Sequence, residues 1–365
     1  MTPDRVISFA RGVPSPDLLP VSQIAAAAAR ALAEDPAGSL AYGDGAGYGP
    51  LREWVAGRHG GTAATVLLTN GSLQGLAFLA ETLFAGSGGR AVVEAPTYDR
   101  AILILRRFGA TVETVDLQPD GLDVDALEAM CRAGRVPGLV YTIATFQNPG
   151  GVTLSLAKRE RLVALARVYG FLVLEDDPYG ELRFAGQDLP TMRSLEGGEH
   201  VLYSTSFTKT VAPGVRSGAM ILPPTLHARL RKLAIDTYIG PSMLTESTVY
   251  RYCAAGAFEP GVARMRAALK ERCDALGDAL DRHLGDRVRY VRPEGGYFLW
   301  IELPGVDADA LADRAEAAGV PVVKGSTCYP DGRGREALRL AFSACPAADM
   351  DAGVARLAAL LDARR

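Results

Sequence analysis

Short apolar runs alternate along the chain with stretches whose apolar positions recur every three or four residues. Residues 66–68, 91–94, 111–115, 139–144, 171–174, 201–203 and 219–222 have the length and the Val/Leu/Ile content of strands buried on both faces. Between them, 100–108, 124–133 and 156–169 read as amphipathic helices, and Leu73, Leu76, Leu79, Ala80 and Leu83 mark the apolar face of another. This alternation predicts an α/β fold with a mostly parallel sheet covered by helices on both sides. Before it, residues 7–20 form a Pro/Gly-punctuated extended arm, and Ser22 is placed to cap an alanine-rich helix reaching about residue 32.

Helices dominate from 226 to 284, and 264–284 has the length of a helix joining two domains. Strands at 288–291, 297–302, 320–323 and 337–342, with helices at 308–318 and at the C-terminus, predict a smaller α+β unit. A chain of 365 residues exceeds one ordinary domain. The expected organisation is an arm and helix over 1–40 that join the small domain, a large domain over 41–262, and a small domain over 263–365.

Composition narrows the function. Net charge is −3 with acids and bases interleaved, which argues against nucleic acid or a membrane surface as partner. No apolar run reaches the roughly 20 residues of a spanning helix, and no basic region with an apolar core opens the chain. The five cysteines are scattered and never form C-x-x-C, which fits reduced thiols in the cytoplasm. The four histidines show no metal-ligand spacing, so no metal centre is expected.

The chemistry concentrates in 200–220, H-V-L-Y-S-T-S-F-T-K-T-V-A-P-G-V-R-S-G-A-M. A strand-like run there ends in small hydroxyl residues, then Lys209, then Arg216 after the break at Pro213-Gly214. Only five of the 39 basic residues are lysines. Lys158, Lys232 and Lys270 sit on polar helix faces, and Lys324 after V-P-V-V is the one rival. A lysine activated by burial or cationic neighbours forms Schiff bases with carbonyls, as pyridoxal phosphate chemistry requires.

The other polar clusters also fall at carboxyl ends of strands, where α/β sheets hold ligands. Asp176 at the end of F-L-V-L-E-D-D would pair with a pyridine nitrogen, with Asp177 next door keeping the choice open. Asn148 and Tyr179 would hydrogen-bond the ring oxygen, and Tyr98 would stack on the ring. Ser206, Arg216 and the helix start at Gly71-Ser72 would hold a phosphate. Arg339, a charge inside the apolar run A-L-R-L-A-F, needs a partner, for which a substrate carboxylate and an internal acid both qualify. The glycines of 43–49 lack the G-x-G-x-x-G spacing of a dinucleotide loop.

Together these motifs resemble the fold-type I, pyridoxal phosphate-dependent class I/II aminotransferases, in the subgroup with 2-aminoadipate and kynurenine aminotransferases. The stretches that carry the likeness include F-A-R-G-V-P-S-P-D-L-L-P, Y-G-D-G-A-G-Y-G-P-L-R, L-L-T-N-G-S-L-Q-G, E-A-P-T-Y, F-Q-N-P-G-G, E-D-D-P-Y-G-E-L-R-F, S-F-T-K-T-V-A-P-G-V-R-S-G, P-E-G-G-Y-F-L-W-I-E-L-P and L-R-L-A-F-S, in the family's order over nearly the whole chain. The resemblance implies Lys209 as Schiff-base lysine and proton shuttle, Asp176 at the ring nitrogen, and Tyr98 over the ring. Gly71, Ser72, Leu73, Asn148, Tyr179, Ser206 and Arg216 are implied as further cofactor ligands. Arg339 is implied at the substrate α-carboxylate, and Asn148 and the arm residues Arg11 and Gly12 are further candidates at the substrate. It further implies a homodimer, with Tyr42 reaching the partner's cofactor.

The implied activity is transfer of the amino group of an L-amino acid to a 2-oxo acid through an internal aldimine and a quinonoid. The alternative on the same scaffold is a biosynthetic lyase, cyclase or β/γ-replacement enzyme. Three positions depart from the subgroup pattern: Arg11, Leu73 and Lys324. Arg11 and Lys324 add cations that could read a polar or acidic distal group. S-F-T-K also fits the S-x-x-K of penicillin-recognising enzymes, but no S-D-N or K-T-G accompanies it. A non-catalytic sensor domain is the remaining reading, without the DNA-binding segment that such regulators carry.

Overall fold

A computed structural model describes residues 5–363. Eight strands make one sheet: β1 (Val66–Thr69), β2 (Arg90–Ala95), β3 (Thr111–Gln118), β4 (Gly121–Leu122), β5 (Leu139–Thr142), β6 (Leu172–Asp176), β7 (Val201–Ser206) and β8 (Gly218–Ile221). Their order is β1-β8-β7-β6-β5-β2-β3-β4. The central pairs are parallel, and β8 runs antiparallel to both β7 and β1. This is a mostly parallel sheet, as the apolar runs predict.

Alternation along each strand fills both faces. Val93, Tyr141, Leu174 and Leu202 enter one core, while Val92, Val140, Val173 and Val201 enter the other. Each side chain is at most 1% exposed, and burying one contributes about 1.5–3 kcal/mol. Helices close both layers. The helix Leu156–Tyr169 starts after Ser155 and stops at Gly170, whose φ of 74° suits a left-handed cap.

A second, antiparallel sheet joins β9 (Arg289–Tyr290), β10 (Phe298–Glu302), β11 (Val323–Lys324) and β12 (Ala337–Ala341) in the order β11-β12-β10-β9. The helix Phe258–His283 runs toward it, burying Val262, Met265, Leu269, Leu276 and Leu280 at helical spacing. Arg272 in this helix donates to the Ser343 carbonyl at 2.6 Å and pairs with Asp17 of the arm at 3.2 Å. The helix begins ahead of the expected 264, and the expected boundary at 263 falls inside it.

Two local expectations shift. The first helix is Val21–Glu34, entered from Pro20 rather than capped by Ser22, whose hydroxyl instead bonds Gln23. The strand expected over 320–323 is displaced to Val323–Lys324. Pro321 has no N–H to give a ladder, and the carbonyls of Gly319 and Pro321 accept from Ile7 and Phe9 of the arm at 2.9 Å each. Ala341 in turn donates to the Phe9 carbonyl, so the arm is laced onto this second sheet. Among the described residues no helix is long and apolar enough to cross a membrane.

Candidate active site

The carboxyl ends of β1, β2, β5, β6 and β7 open on one edge of the large sheet, and the amino end of β8 meets them there. A cavity of about 240 Å³ lies at this edge, lined among others by Gly12, Tyr98, Asn148, Asp176, Lys209 and Arg339. Ser72, Leu73, Tyr179, Ser206 and Arg216 complete the residues singled out from sequence that face it. They come from seven separate stretches, so the topology, not local sequence, assembles the site.

β1 leads through Asn70-Gly71 into the helix Ser72–Phe84. Gly71 is the N-cap residue, and no side chain caps this helix. Its φ of 85° lies where glycine is favoured, and a Cβ here would strike the Arg216 guanidinium. A Cβ on Gly218, at the start of β8, would come within 2.5 Å of the Ser72 nitrogen. Two glycines thus bring Arg216 and an uncapped helix start together, a combination that binds anions. Arg216 itself has φ 44° and donates to the Asn70 carbonyl at 3.2 Å. Ser206 bonds Thr208 at 2.8 Å within the same corner.

Lys209 follows β7. Its Nζ donates to the Gly12 carbonyl at 2.6 Å and lies over the rings of Tyr297 and Tyr179. Burial, then the nearby Arg339 and Arg216 charges, bring its pKa down to about 8. Roughly a tenth of the amine is then neutral at pH 7, far more than at the ordinary value of 10.5, which favours a nucleophilic amine.

At the end of β6 the neighbouring aspartates face different surroundings. Asp176 faces the cavity; Asp177 turns away and accepts from the Tyr203 hydroxyl at 2.9 Å and the Gly180 amide at 2.8 Å. One Asp176 oxygen accepts from the Tyr141 hydroxyl at 2.8 Å, while the other is buried without a partner. Burial pushes this carboxyl up to about 6, against the pull of the Tyr141 bond. An unmet buried acceptor is costly, and an aromatic N–H is a donor of the right kind for it.

Arg339, on β12, donates to Asn148 Oδ1 at 3.0 Å and to the Ala10 carbonyl at 3.1 Å, and its Nε is buried without a partner. Among the described residues, no carboxylate forms an ion pair with Arg339, Lys209 or Arg216. The internal acid considered for Arg339 is therefore not found. Three cations against Asp176 leave the cavity positive, suited to a ligand carrying phosphate and carboxylate.

Other expected residues lie elsewhere. The Arg11 side chain is exposed and outside the cavity lining, although Ala10 and Gly12 on either side touch Arg339 and Lys209. Lys324 pairs with Asp313 at 2.7 Å and does not line the cavity, which speaks against its reading a distal substrate group. Tyr42 is 86% exposed and lines a separate surface concavity with Leu40, Ile239 and Leu244. Glu196, Glu199 and His200 lie close together, but Glu196 Oε2 is occupied by the amides of Gly198, Glu199, His200 and Val201. Sequence reasoning missed Tyr141, Ile143, Pro178 and Phe298. A tyrosine inside the buried run L-V-Y-T was a usable signal, since its hydroxyl needs a partner.

Comparison with known proteins agrees with this geometry. Residues 4–357 match the family model for aminotransferase class I and II. The chain is 36% identical to 2-aminoadipate transaminase of Thermus thermophilus over 356 residues, covering 96% of this chain and 89% of that protein. Among solved structures, kynurenine aminotransferase of Pyrococcus horikoshii, in complex with PMP, superposes with a TM-score of 0.93 at 31% identity, over 99% of this chain and 92% of that one. Alpha-aminoadipate aminotransferase of Thermus thermophilus, complexed with N-(5'-phosphopyridoxyl)-L-leucine, gives 0.93 at 35% identity, over 98% and 92%. With the matched model, the sheet order and the full-length relatives in agreement, the chain belongs to the class I and II aminotransferases, pyridoxal phosphate-dependent enzymes of fold type I.

Proposed function

We propose that Lys209 is the residue that carries pyridoxal 5'-phosphate and that the cavity around it moves an amino group from an L-amino acid to a 2-oxo acid. One observation carries the reading: among the described residues, Lys209, Arg216 and Arg339 converge without a carboxylate partner around a cavity that also holds a buried Asp176 oxygen without a donor. The cofactor fits that pattern. Its pyridine N–H would meet Asp176, its phosphate would meet Arg216, Ser206 and the Gly71-Ser72-Leu73 helix start, and its ring oxygen would meet Asn148 and Tyr179. Tyr98 would lie against the ring. When bound, the cofactor supplies an electron sink for the carbanion at the substrate α-carbon.

The chain's own residues do the rest. Arg339 and Asn148 bind the substrate α-carboxylate, which orients the α-hydrogen. Lys209, its pKa lowered to about 8, takes and returns that proton. Gly12 and its neighbours in the arm close the cavity from above and limit water.

The homodimer is part of this proposal. Leu40, Tyr42, Ile239 and Leu244 are 67%, 86%, 48% and 39% exposed around one concavity, an apolar patch that a second copy would cover while Tyr42 reaches its cofactor. We also assign 41–262 to the cofactor-binding domain and 1–40 with 263–365 to the smaller one, in a cytoplasmic enzyme. A panel of L-amino acids tests the function. Transamination yields a 2-oxo acid and stoichiometric pyridoxamine phosphate; a lyase or replacement enzyme releases product without it. Light scattering that shows only monomer at micromolar concentration would remove the dimer.

A further inference from the structure

We propose that Glu94 is a positioning residue that, acting through the Gln147 amide, fixes the loop delivering Asn148 to the active site; this rests on the aminotransferase reading above. Glu94 is the penultimate residue of β2, does not line the cavity and is 1% exposed. Three donors converge on its carboxylate: the Thr142 hydroxyl at 2.5 Å, Gln147 Nε2 at 2.9 Å and the Ile143 amide at 3.3 Å. All three lie between the end of β5 and Asn148.

Gln147 is the centre of this clamp. Its Nε2 also donates to the Pro96 carbonyl at 2.9 Å, and its Oε1 accepts from the Gly150 amide at 2.7 Å. Its backbone donates to Val152 at 2.8 Å and accepts from Gly151 at 2.6 Å. Every polar group of one buried residue is thus engaged: three close the loop 147–152, and Nε2 ties it to Glu94 and Pro96. The residue before it, Phe146, is held at φ 51°, a conformation that non-glycine residues avoid. Such backbone persists where its surroundings over-determine it. Here the Phe146 ring is 1% exposed, with the Arg183 guanidinium 4.6 Å from its centre. The residue after Gln147 is Asn148, whose Oδ1 accepts from Arg339. The contacts run Glu94 to Gln147, and through the adjoining backbone to Asn148 and Arg339.

The Ile143 amide and Gln147 Nε2 share one carboxyl oxygen and need an acceptor there, whereas the Thr142 hydroxyl on the other oxygen can donate or accept. An apolar side chain at 94 would leave two buried donors unmet and would pull the loop away from its seat. A shift of about 1 Å at a substrate-binding group can cost on the order of 100-fold in rate.

The test is a thermodynamic cycle on the reconstituted enzyme with its best amino acid: wild type, Glu94→Leu, Asn148→Ala and the double variant. Expected is a loss of about 10- to 100-fold in kcat/KM for Glu94→Leu, with KM for the amino acid raised. In the Asn148→Ala background the same change should cost less than about twofold, because the positioned group is gone. Glu94→Gln keeps an acceptor for Ile143 and Gln147 and offers its NH₂ to Thr142, so it should retain most of the activity. Should Glu94→Leu fail to fold, Gln147→Met takes its place in the same cycle. Wild-type kinetics in Glu94→Leu, a Glu94→Gln as impaired as Glu94→Leu, or losses that multiply with that of Asn148→Ala, overturn the proposal. A wild type inert with every amino acid overturns the aminotransferase reading together with it.

Discussion

Lys209 and Gly12 stand 197 residues apart in sequence and share one hydrogen bond, from Nζ to the Gly12 carbonyl at 2.6 Å. The arm that carries Gly12 is fastened to the second sheet through Ile7 and Phe9. The amine at the centre of the large sheet is therefore in direct contact with an element anchored on the smaller one. This geometry makes the energetics of Lys209 measurable through the whole fold.

The folded-state pKa of Lys209, about 8, lies below its ordinary 10.5, chiefly through burial. Below pH 8 both folded and unfolded chains carry the charge, and the folded state bears the full cost of holding it. Between about 8 and 10.5 the unfolded chain binds more protons, so stability rises with pH. Lys209→Met should then stabilise the cofactor-free protein at pH 7 by about 1–3 kcal/mol, the gain shrinking toward pH 10.5. Denaturant unfolding at pH 7 and pH 10 checks this; equal stabilities at pH 7 would count against a cationic cavity.

Tyr141 donates to Asp176 and favours its ionised form. Tyr141→Phe removes that bond, and the Asp176 pKa should climb above about 6 by roughly one further unit. The low-pH limb of the kcat profile is expected to move to higher pH by the same amount. An unmoved limb would show that Asp176 does not govern it.

Gly71→Ala places a methyl group against the Arg216 guanidinium at φ 85°. Backbone strain of about 1 kcal/mol and a displaced arginine should weaken pyridoxal phosphate binding by at least roughly tenfold. A fluorescence titration gives the affinity, and circular dichroism should report an intact fold. Undiminished affinity would remove this corner as the phosphate site.

Lys324 is engaged by Asp313 at the surface. Lys324→Ala should leave the ranking of amino-acid substrates unchanged, read from kcat/KM across the panel. A selective loss with acidic substrates would restore the role that its ion pair argues against.

The layered sheet was legible because strands buried on both faces carry continuous apolar runs, and β5, β6 and β7 each open with one. Their carboxyl ends then located Asn148, Asp176 and Lys209. What sequence left open was orientation. Asp176 and Asp177 differ in direction because β6 ends between them, a boundary that sequence does not mark. Arg11 and Lys324 carry the right charge, but nothing local encodes which way a surface side chain turns. Glu94 and Gln147 were not singled out because their bond spans 53 positions and exists only after β2 and β5 pair. Tyr141 needed the same pairing knowledge, since its partner comes from the neighbouring strand.

The most direct test of the central claim is peptide mapping after borohydride reduction of protein reconstituted with pyridoxal 5'-phosphate. A phosphopyridoxyl mass on the peptide containing Lys209, absent from the Lys209→Ala variant, is the expected result. A label on Lys324 or another lysine, or none after reconstitution, would contradict the assignment of this cavity as the cofactor site.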